Sequence, residues 1–88
     1  METLTSTKQN RNLSEIARDI LNNWKNPSQY AKPYLEAMLT INSSDPNARY
    51  LLETAKDIVT YFLANATTFR GPDARRIKQE LKSNYNIK

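Results

Sequence analysis

Residues 45–66 read DPNARYLLETAKDIVTYFLANA, and their apolar positions recur at helical spacing. Asp45 suits a helix N-cap and Pro46 the first helical position, so the pattern predicts a helix of about five turns. The stripe expected to face the core comprises Ala48, Leu51, Leu52, Ala55, Ile58, Val59, Phe62, Leu63 and Ala66. We predict that this helix is the centre of the fold and that Leu51 and Phe62 are buried.

Three further segments have helical periodicity. The first begins at its N-cap, Ser14, and stops in the stretch before Pro27. The second opens near Pro27 and Ser28 and runs to about Ile41, with Pro33 expected in the first turn of its firm part, and the last runs from Pro72 to about Asn84. Their expected buried residues are Ile16, Ala17, Ile20, Leu21 and Trp24, then Tyr30, Ala31, Tyr34, Leu35, Met38 and Leu39, then Ala74, Ile77 and Leu81 with or without Tyr85.

These patterns predict an all-α fold, a single small bundle of about four helices with a long central third helix. The domain is expected to span residues 13–88 and to follow a flexible polar tail, residues 1–12. Apolar and polar residues do not alternate over more than a few positions, so no strand is predicted.

Composition bounds the chemistry. The 88 residues include no cysteine and no histidine, which removes disulfides, the usual zinc sites and the commonest general base near neutral pH. The single glycine, Gly71, cannot form a glycine-rich phosphate loop, and the carboxylates are scattered singly. We predict a protein that is not an enzyme and has no cofactor and no metal.

No apolar run approaches the roughly 20 residues that cross a bilayer, and the polar start lacks a signal-peptide core. A cytoplasmic location without a membrane partner is expected.

Charge is unevenly distributed. Residues 1–65 carry seven bases and seven acids, so the net charge of +4 arises entirely in residues 66–88. We predict that a nucleic-acid or partner-binding surface lies on the last helix and the turn before it. Its candidate residues are Arg70, Arg75, Arg76, Lys78 and Lys82. Asp73 and Glu80 weaken this interpretation, and the alternative is that the bases only favour the helix dipole and solubility.

Aromatic residues give a second hypothesis. Tyr50 and Tyr61 lie off the apolar stripe of the predicted third helix, and tyrosine is enriched at protein interfaces. An adaptor or inhibitor that docks on a protein through exposed aromatic residues, with no nucleic-acid role, is the alternative function. The oligomeric state is left open by the sequence.

Residues 31–38, AKPYLEAM, and residues 58–71, IVTYFLANATTFRG, with ARRIK at 74–78, resemble small proteins of bacterial phages and integrated mobile elements. The resemblance implies an accessory protein of a mobile element, but it brings no activity with it. It places a shared role in residues 65–78, although a turn with fixed packing would produce the same string. The combined prediction is a non-enzymatic accessory protein that binds nucleic acid or an acidic partner through its basic C-terminal helix.

Overall fold

The computed structural model describes residues 10–87. The elements in chain order are α1 (Leu13–Asn23), α2 (Lys32–Leu39), β1 (Arg49–Tyr50), β2 (Glu53–Thr54), α3 (Ala55–Ala64) and α4 (Pro72–Asn84). The described chain is therefore mostly helical, as predicted, but it is not purely all-α because β1 and β2 pair. Most of the predicted N-terminal tail lies outside the described residues. Within residues 10–87, no helix combines the length and apolar character that a membrane span requires.

Helix α1 begins two residues earlier than predicted. Asn12 is its N-cap, and the backbone N–H of Asn12 donates to the Glu15 carboxylate at 2.9 Å. The prediction of Ser14 as the cap was wrong because Ser14 already lies inside the helix and is buried. The Ser14 hydroxyl instead donates to the side-chain oxygen of Asn42 at 2.7 Å, which satisfies a buried polar group.

The second helix confirms the role predicted for its proline. Pro33 lies in the first turn of α2, where its missing amide proton leaves no hydrogen bond unmade. The helix ends at Leu39, and Ile41 follows it as a buried residue. Tyr30 precedes the helix and is 67% exposed, so its predicted place in the core was wrong.

The prediction of a long third helix was wrong for its first half, where the chain forms a β-hairpin. Arg49 pairs with Thr54 and Tyr50 with Glu53, so Leu51 and Leu52 form the turn. Leu51 has a φ of 57°, and the two leucine side chains are 81% and 89% exposed. The buried position predicted for both leucines is therefore overturned.

Two local signals explain why the helix begins later. The Asp45 side chain accepts from the Asn47 N–H at 2.9 Å, which folds the Asp-Pro sequence into a turn. Thr54 and Asp57 then cap α3 reciprocally, through hydrogen bonds of 3.2 and 3.3 Å between each side chain and the other's backbone N–H. These side-chain bonds outweigh the apolar periodicity of residues 48–54.

The core lies between the four helices. Helix α1 packs against α2 and α4, and α2 packs against α3. Trp24 lies between two other aromatic residues of the core. Its ring meets Phe62 edge-on at a centroid distance of 6.2 Å and stacks on Phe69 at 5.0 Å. The large side chains with almost no exposure are Leu13, Ile16, Ile20, Met38, Ile58, Val59, Phe62, Phe69, Ile77, Leu81 and Tyr85.

Candidate functional site

The candidate site lies at the turn between α3 and α4. Phe69 is buried against Trp24, which fixes the turn to the core. Gly71 follows with a φ of 110°, a conformation that side chains with a Cβ rarely adopt, and its carbonyl accepts from the Arg75 N–H at 2.9 Å. The only glycine in the sequence thus turns the chain sharply into α4 and places Arg70 beside the first turn of that helix.

A surface pocket of about 300 Å³ occupies this turn. Its lining residues are Phe69, Arg70, Gly71, Ala74, Arg75 and Lys78. Small and aromatic residues form part of the wall, while three of the six lining residues carry a positive charge. Chemically, such a pocket favours an anion of modest size, because the bases attract it and the apolar wall lowers the local dielectric.

Lys78 is the base held most firmly in this pocket. Its ammonium nitrogen donates to the Ala66 carbonyl at 2.7 Å and lies 5.7 Å from the centre of the Phe69 ring. Burial, and then the charges of Arg70 and Lys82, lower the pKa of Lys78. An anion placed beside it would offset these effects and stabilise the charged form.

Arg76 takes a different position from the other predicted bases. It bonds to Asp19 on α1 at 3.3 Å and to Asp73 at 3.4 Å. Arg11 completes a network of ion pairs, reaching Glu80 at 2.6 Å and Asp19 at 3.1 Å. The network joins the chain before α1 to the side of α4 that faces α1.

The pKa values in the network follow from these contacts. The hydrogen bond to Glu80 is the main reason that the pKa of Arg11 is raised. Partial burial opposes ionisation of Asp19, but hydrogen bonds from Arg76 and Arg11 outweigh it and lower the pKa of that carboxyl. The Asp19 carboxyl is therefore held in its charged form at neutral pH.

The consequence is a separation of charge around α4. Both of its acids, Asp73 and Glu80, are bonded to arginines in the network. Among residues 10–87, no carboxylate forms an ion pair with any of the other four bases predicted for this surface, the ones besides Arg76. We call these four the basic face: Arg70, Arg75, Lys78 and Lys82. On α4, the last three are spaced by three and four residues, so they share one side of the helix.

The two tyrosines predicted as an interface differ in exposure. Tyr61 is 43% exposed, and its ring lies 5.5 Å from that of Tyr34. Tyr50 is half-buried against the core. Four residues that helical spacing placed in the core are exposed instead: Leu21, Tyr30, Leu51 and Leu52. The helical pattern could not reveal them, because the pattern itself predicted that they are buried.

Comparison of the chain with protein-family models, with curated proteins and with solved structures finds no match in any of the three. The resemblance to proteins of phages and mobile elements therefore stays a prediction.

Proposed function

We propose that this protein is a non-enzymatic binding protein that contacts the phosphates of nucleic acid through the basic face. The observation that carries the proposal is the separation of charge on α4. Four bases lie together with no carboxylate of the described chain in ion-pair contact, while both acids of the helix are paired with arginines in the network. Like charges that gather without a counter-ion repel one another, and a polyanion removes that cost.

The mode of binding follows from what the face offers. Its two lysines carry compact ammonium charges, and its two arginines carry planar guanidinium groups with several N–H donors. Both kinds of group bind phosphate oxygens well. The nearby aromatic ring, Phe69, is buried and stacked on Trp24, so it offers no platform for a base. The proposed binding therefore depends on the backbone of the nucleic acid and hardly on its sequence.

An acidic protein would meet the same charges, and it is the alternative occupant of the basic face. Nucleic acid is favoured because its phosphates are evenly and densely spaced, so a compact group of four bases can engage several at once. Docking of a protein through Tyr50 and Tyr61 has less support, because Tyr50 is half-buried and Tyr61 already packs beside Tyr34. An accessory role in a mobile element is compatible with the proposal and rests on the sequence resemblance alone.

The test compares two charge-reversal variants by fluorescence anisotropy with labelled single-stranded and duplex DNA and RNA. The first replaces three exposed bases of the basic face: Arg70→Glu, Arg75→Glu and Lys82→Glu. The control replaces three exposed bases elsewhere: Arg18→Glu, Lys25→Glu and Lys56→Glu. Both variants have the same net charge, and Lys78 is left in place because it bonds to Ala66.

Wild type and control should bind, and the basic-face variant should bind much more weakly, with all three melting alike. Equal loss of binding in both variants would mean that only net charge matters and would contradict a specific face. Absence of binding by the wild type at low salt would overturn the nucleic-acid proposal and leave an acidic protein as the partner to test.

A further inference from the structure

The pocket at the turn between α3 and α4 gathers three of the four bases of the basic face. Arg70, Arg75 and Lys78 line it beside an apolar wall. Gly71 lies among them and leaves the space open, since no atom of a non-adjacent residue lies within 4 Å of the place where its Cβ would be. The three bases therefore surround a concave space and not a flat surface.

Two of these bases are each held by a backbone carbonyl and keep other donors free. The Nε of Arg70 donates to the Thr67 carbonyl at 3.2 Å, and no hydrogen bond within residues 10–87 involves the two terminal nitrogens of that guanidinium. An ammonium group has three N–H donors, and Lys78 uses one of them on the Ala66 carbonyl. The pocket thus presents several N–H donors in fixed positions.

The charge and the size of the pocket fit one phosphate group that carries two negative charges. An internal phosphate of a nucleic acid carries one charge and is joined to a sugar on both sides. A phosphate joined on one side only carries nearly two charges at neutral pH and has three acceptor oxygens. The volume of about 300 Å³ is at the lower end for small-ligand pockets, which suits a single group. A terminal phosphate therefore uses more of these donors than an internal phosphate does.

The acid nearest the pocket is engaged elsewhere. Asp73 lies in the first turn of α4, but its carboxylate is bonded to Arg76 at 3.4 Å and does not line the pocket. The bases, in contrast, lie close enough to repel one another, since the charges of Arg70 and Lys82 add to burial in lowering the pKa of Lys78. A doubly charged anion in the pocket would relieve this repulsion.

The fourth base of the basic face indicates the molecule to which the phosphate belongs. Lys82 lies outside the pocket, on the same side of α4 as Lys78 and about 6 Å further along the helix axis. A nucleic-acid strand that begins in the pocket can therefore place its next phosphate beside Lys82. A small phosphomonoester has no such second group and leaves Lys82 unused.

We propose that this pocket binds the terminal phosphate of a nucleic-acid strand, so that the protein holds phosphorylated strand ends more tightly than internal positions. The inference rests on the proposed function and adds to it the part of the strand that is recognised. The basic face as a whole attracts phosphates, and the pocket supplies the preference for an end.

Fluorescence anisotropy with internally labelled single-stranded DNA tests the preference. The same sequence is prepared with a 5′-phosphate, with a 3′-phosphate and with hydroxyl groups at both ends. A hydroxyl-ended strand that is longer by two nucleotides matches the charge of the phosphorylated strands. The wild type should bind at least one phosphorylated strand about tenfold more tightly than both hydroxyl-ended strands, the gain expected of one charged, hydrogen-bonded group.

Two single substitutions on α4 separate the pocket from the rest of the basic face. Arg75→Gln removes an exposed base of the pocket, so most of the preference for the phosphorylated end should be lost. Lys82→Gln removes the same charge from an exposed position outside the pocket. It should weaken binding of all the strands alike and leave the preference unchanged. Equal melting temperatures verify that both variants keep the fold.

The failure of this inference is distinguishable from the failure of the proposed function. Equal binding of all the strands by the wild type would overturn the inference and leave the nucleic-acid proposal standing. A preference that survives Arg75→Gln, or that disappears in Lys82→Gln, would also overturn it. Absence of binding to every strand would contradict both proposals.

A nucleoside 5′-monophosphate supplies the same phosphate group without a strand and serves as the competitor. It should displace the phosphorylated DNA only at concentrations far above the dissociation constant of that DNA, because it makes no contact with Lys82. Displacement at concentrations near that constant would identify a site for small phosphomonoesters and would overturn recognition of a strand end.

Discussion

The ammonium group of Lys78 donates a 2.7 Å hydrogen bond to the carbonyl oxygen of Ala66 and thereby joins α4 to the segment that follows α3. Ala66 is fully buried, and its carbonyl also accepts from the backbone N–H of Phe69 at 3.0 Å, so Lys78 is its second donor. The bond holds one base of the basic face in a fixed position beside Arg70 and Arg75. One side chain thus contributes both to the fold and to the candidate site.

Replacing Lys78 by Met should therefore destabilise the protein. The methionine keeps an apolar stem of similar length but removes the charged donor, so that only the Phe69 N–H still donates to the Ala66 carbonyl, and the lost bond costs about 1 kcal/mol. Lys82→Met removes an equal charge from an exposed position and should change stability by less than about 0.5 kcal/mol. Urea denaturation measures both, and equal effects would contradict the structural role of Lys78.

Two alanine variants distinguish the observed hairpin from a continuous helix. Phe62 is completely buried, so Phe62→Ala should destabilise by about 3–5 kcal/mol. Leu51 is 81% exposed, so Leu51→Ala should cost less than about 0.5 kcal/mol. Thermal melts followed by circular dichroism compare them. A large loss in Leu51→Ala would place that residue in the core and contradict the hairpin.

Tyr85 carries a buried hydroxyl that has no hydrogen-bond partner among the described residues. An unsatisfied polar group of this kind costs about 1–3 kcal/mol. Tyr85→Phe removes the hydroxyl and keeps the ring, so it should raise the free energy of unfolding by about 1 kcal/mol at neutral pH. A clear loss of stability in chemical denaturation would show that the hydroxyl has a partner.

The same residue predicts a response to alkaline pH. Burial raises the pKa of Tyr85 from 10.0 to about 12. The folded state holds the Tyr85 proton more tightly than the unfolded state does. The contribution of this protonated hydroxyl to the free energy of unfolding is therefore complete below pH 10 and is lost as pH rises towards 12. The stability advantage of Tyr85→Phe should therefore grow between these values. A pH-independent difference between variant and wild type would contradict the raised pKa.

The Asp19 carboxyl should give the opposite pH dependence of stability, with the loss at acid pH. Its pKa is lowered from the usual 3.8, so its contribution is present above that value and is lost as pH falls through the folded pKa. Asp19→Asn should destabilise by about 1 kcal/mol at pH 7, and the difference should shrink below about pH 4. Glu36→Gln serves as the control, since Glu36 is exposed and forms no ion pair within residues 10–87. Equal effects of the two substitutions at pH 7 would contradict the network.

Much of the fold could be read from the sequence, because proline positions and apolar spacing act locally. Pro33 and Pro72 both lie in first turns, and Ala74, Ile77 and Leu81 are buried as their spacing predicted. The hairpin could not be read in this way, since residues 48–54 fit a helical stripe. Only the turn at Asp45 and the cap formed by Thr54 with Asp57 distinguish the two structures.

The candidate site was predictable as a group of charges but not as an arrangement. Composition placed the excess bases in the last helix, and three of them do share one side of α4. The position of Arg76 depends on Asp19, which lies 57 residues earlier in the chain. Pairing across such a distance arises from the packing of α1 on α4, and helical spacing contains no information about it.

The most direct test of the central claim is the salt dependence of duplex DNA binding by the wild type. Four phosphate contacts predict a slope of about −3.6 for the logarithm of the binding constant against that of salt concentration, or about 150-fold weaker binding from about 50 to about 200 mM. The basic-face variant should lose most of this slope, because one base of the face remains. A wild-type slope near zero, or a slope unchanged in that variant, would contradict the account.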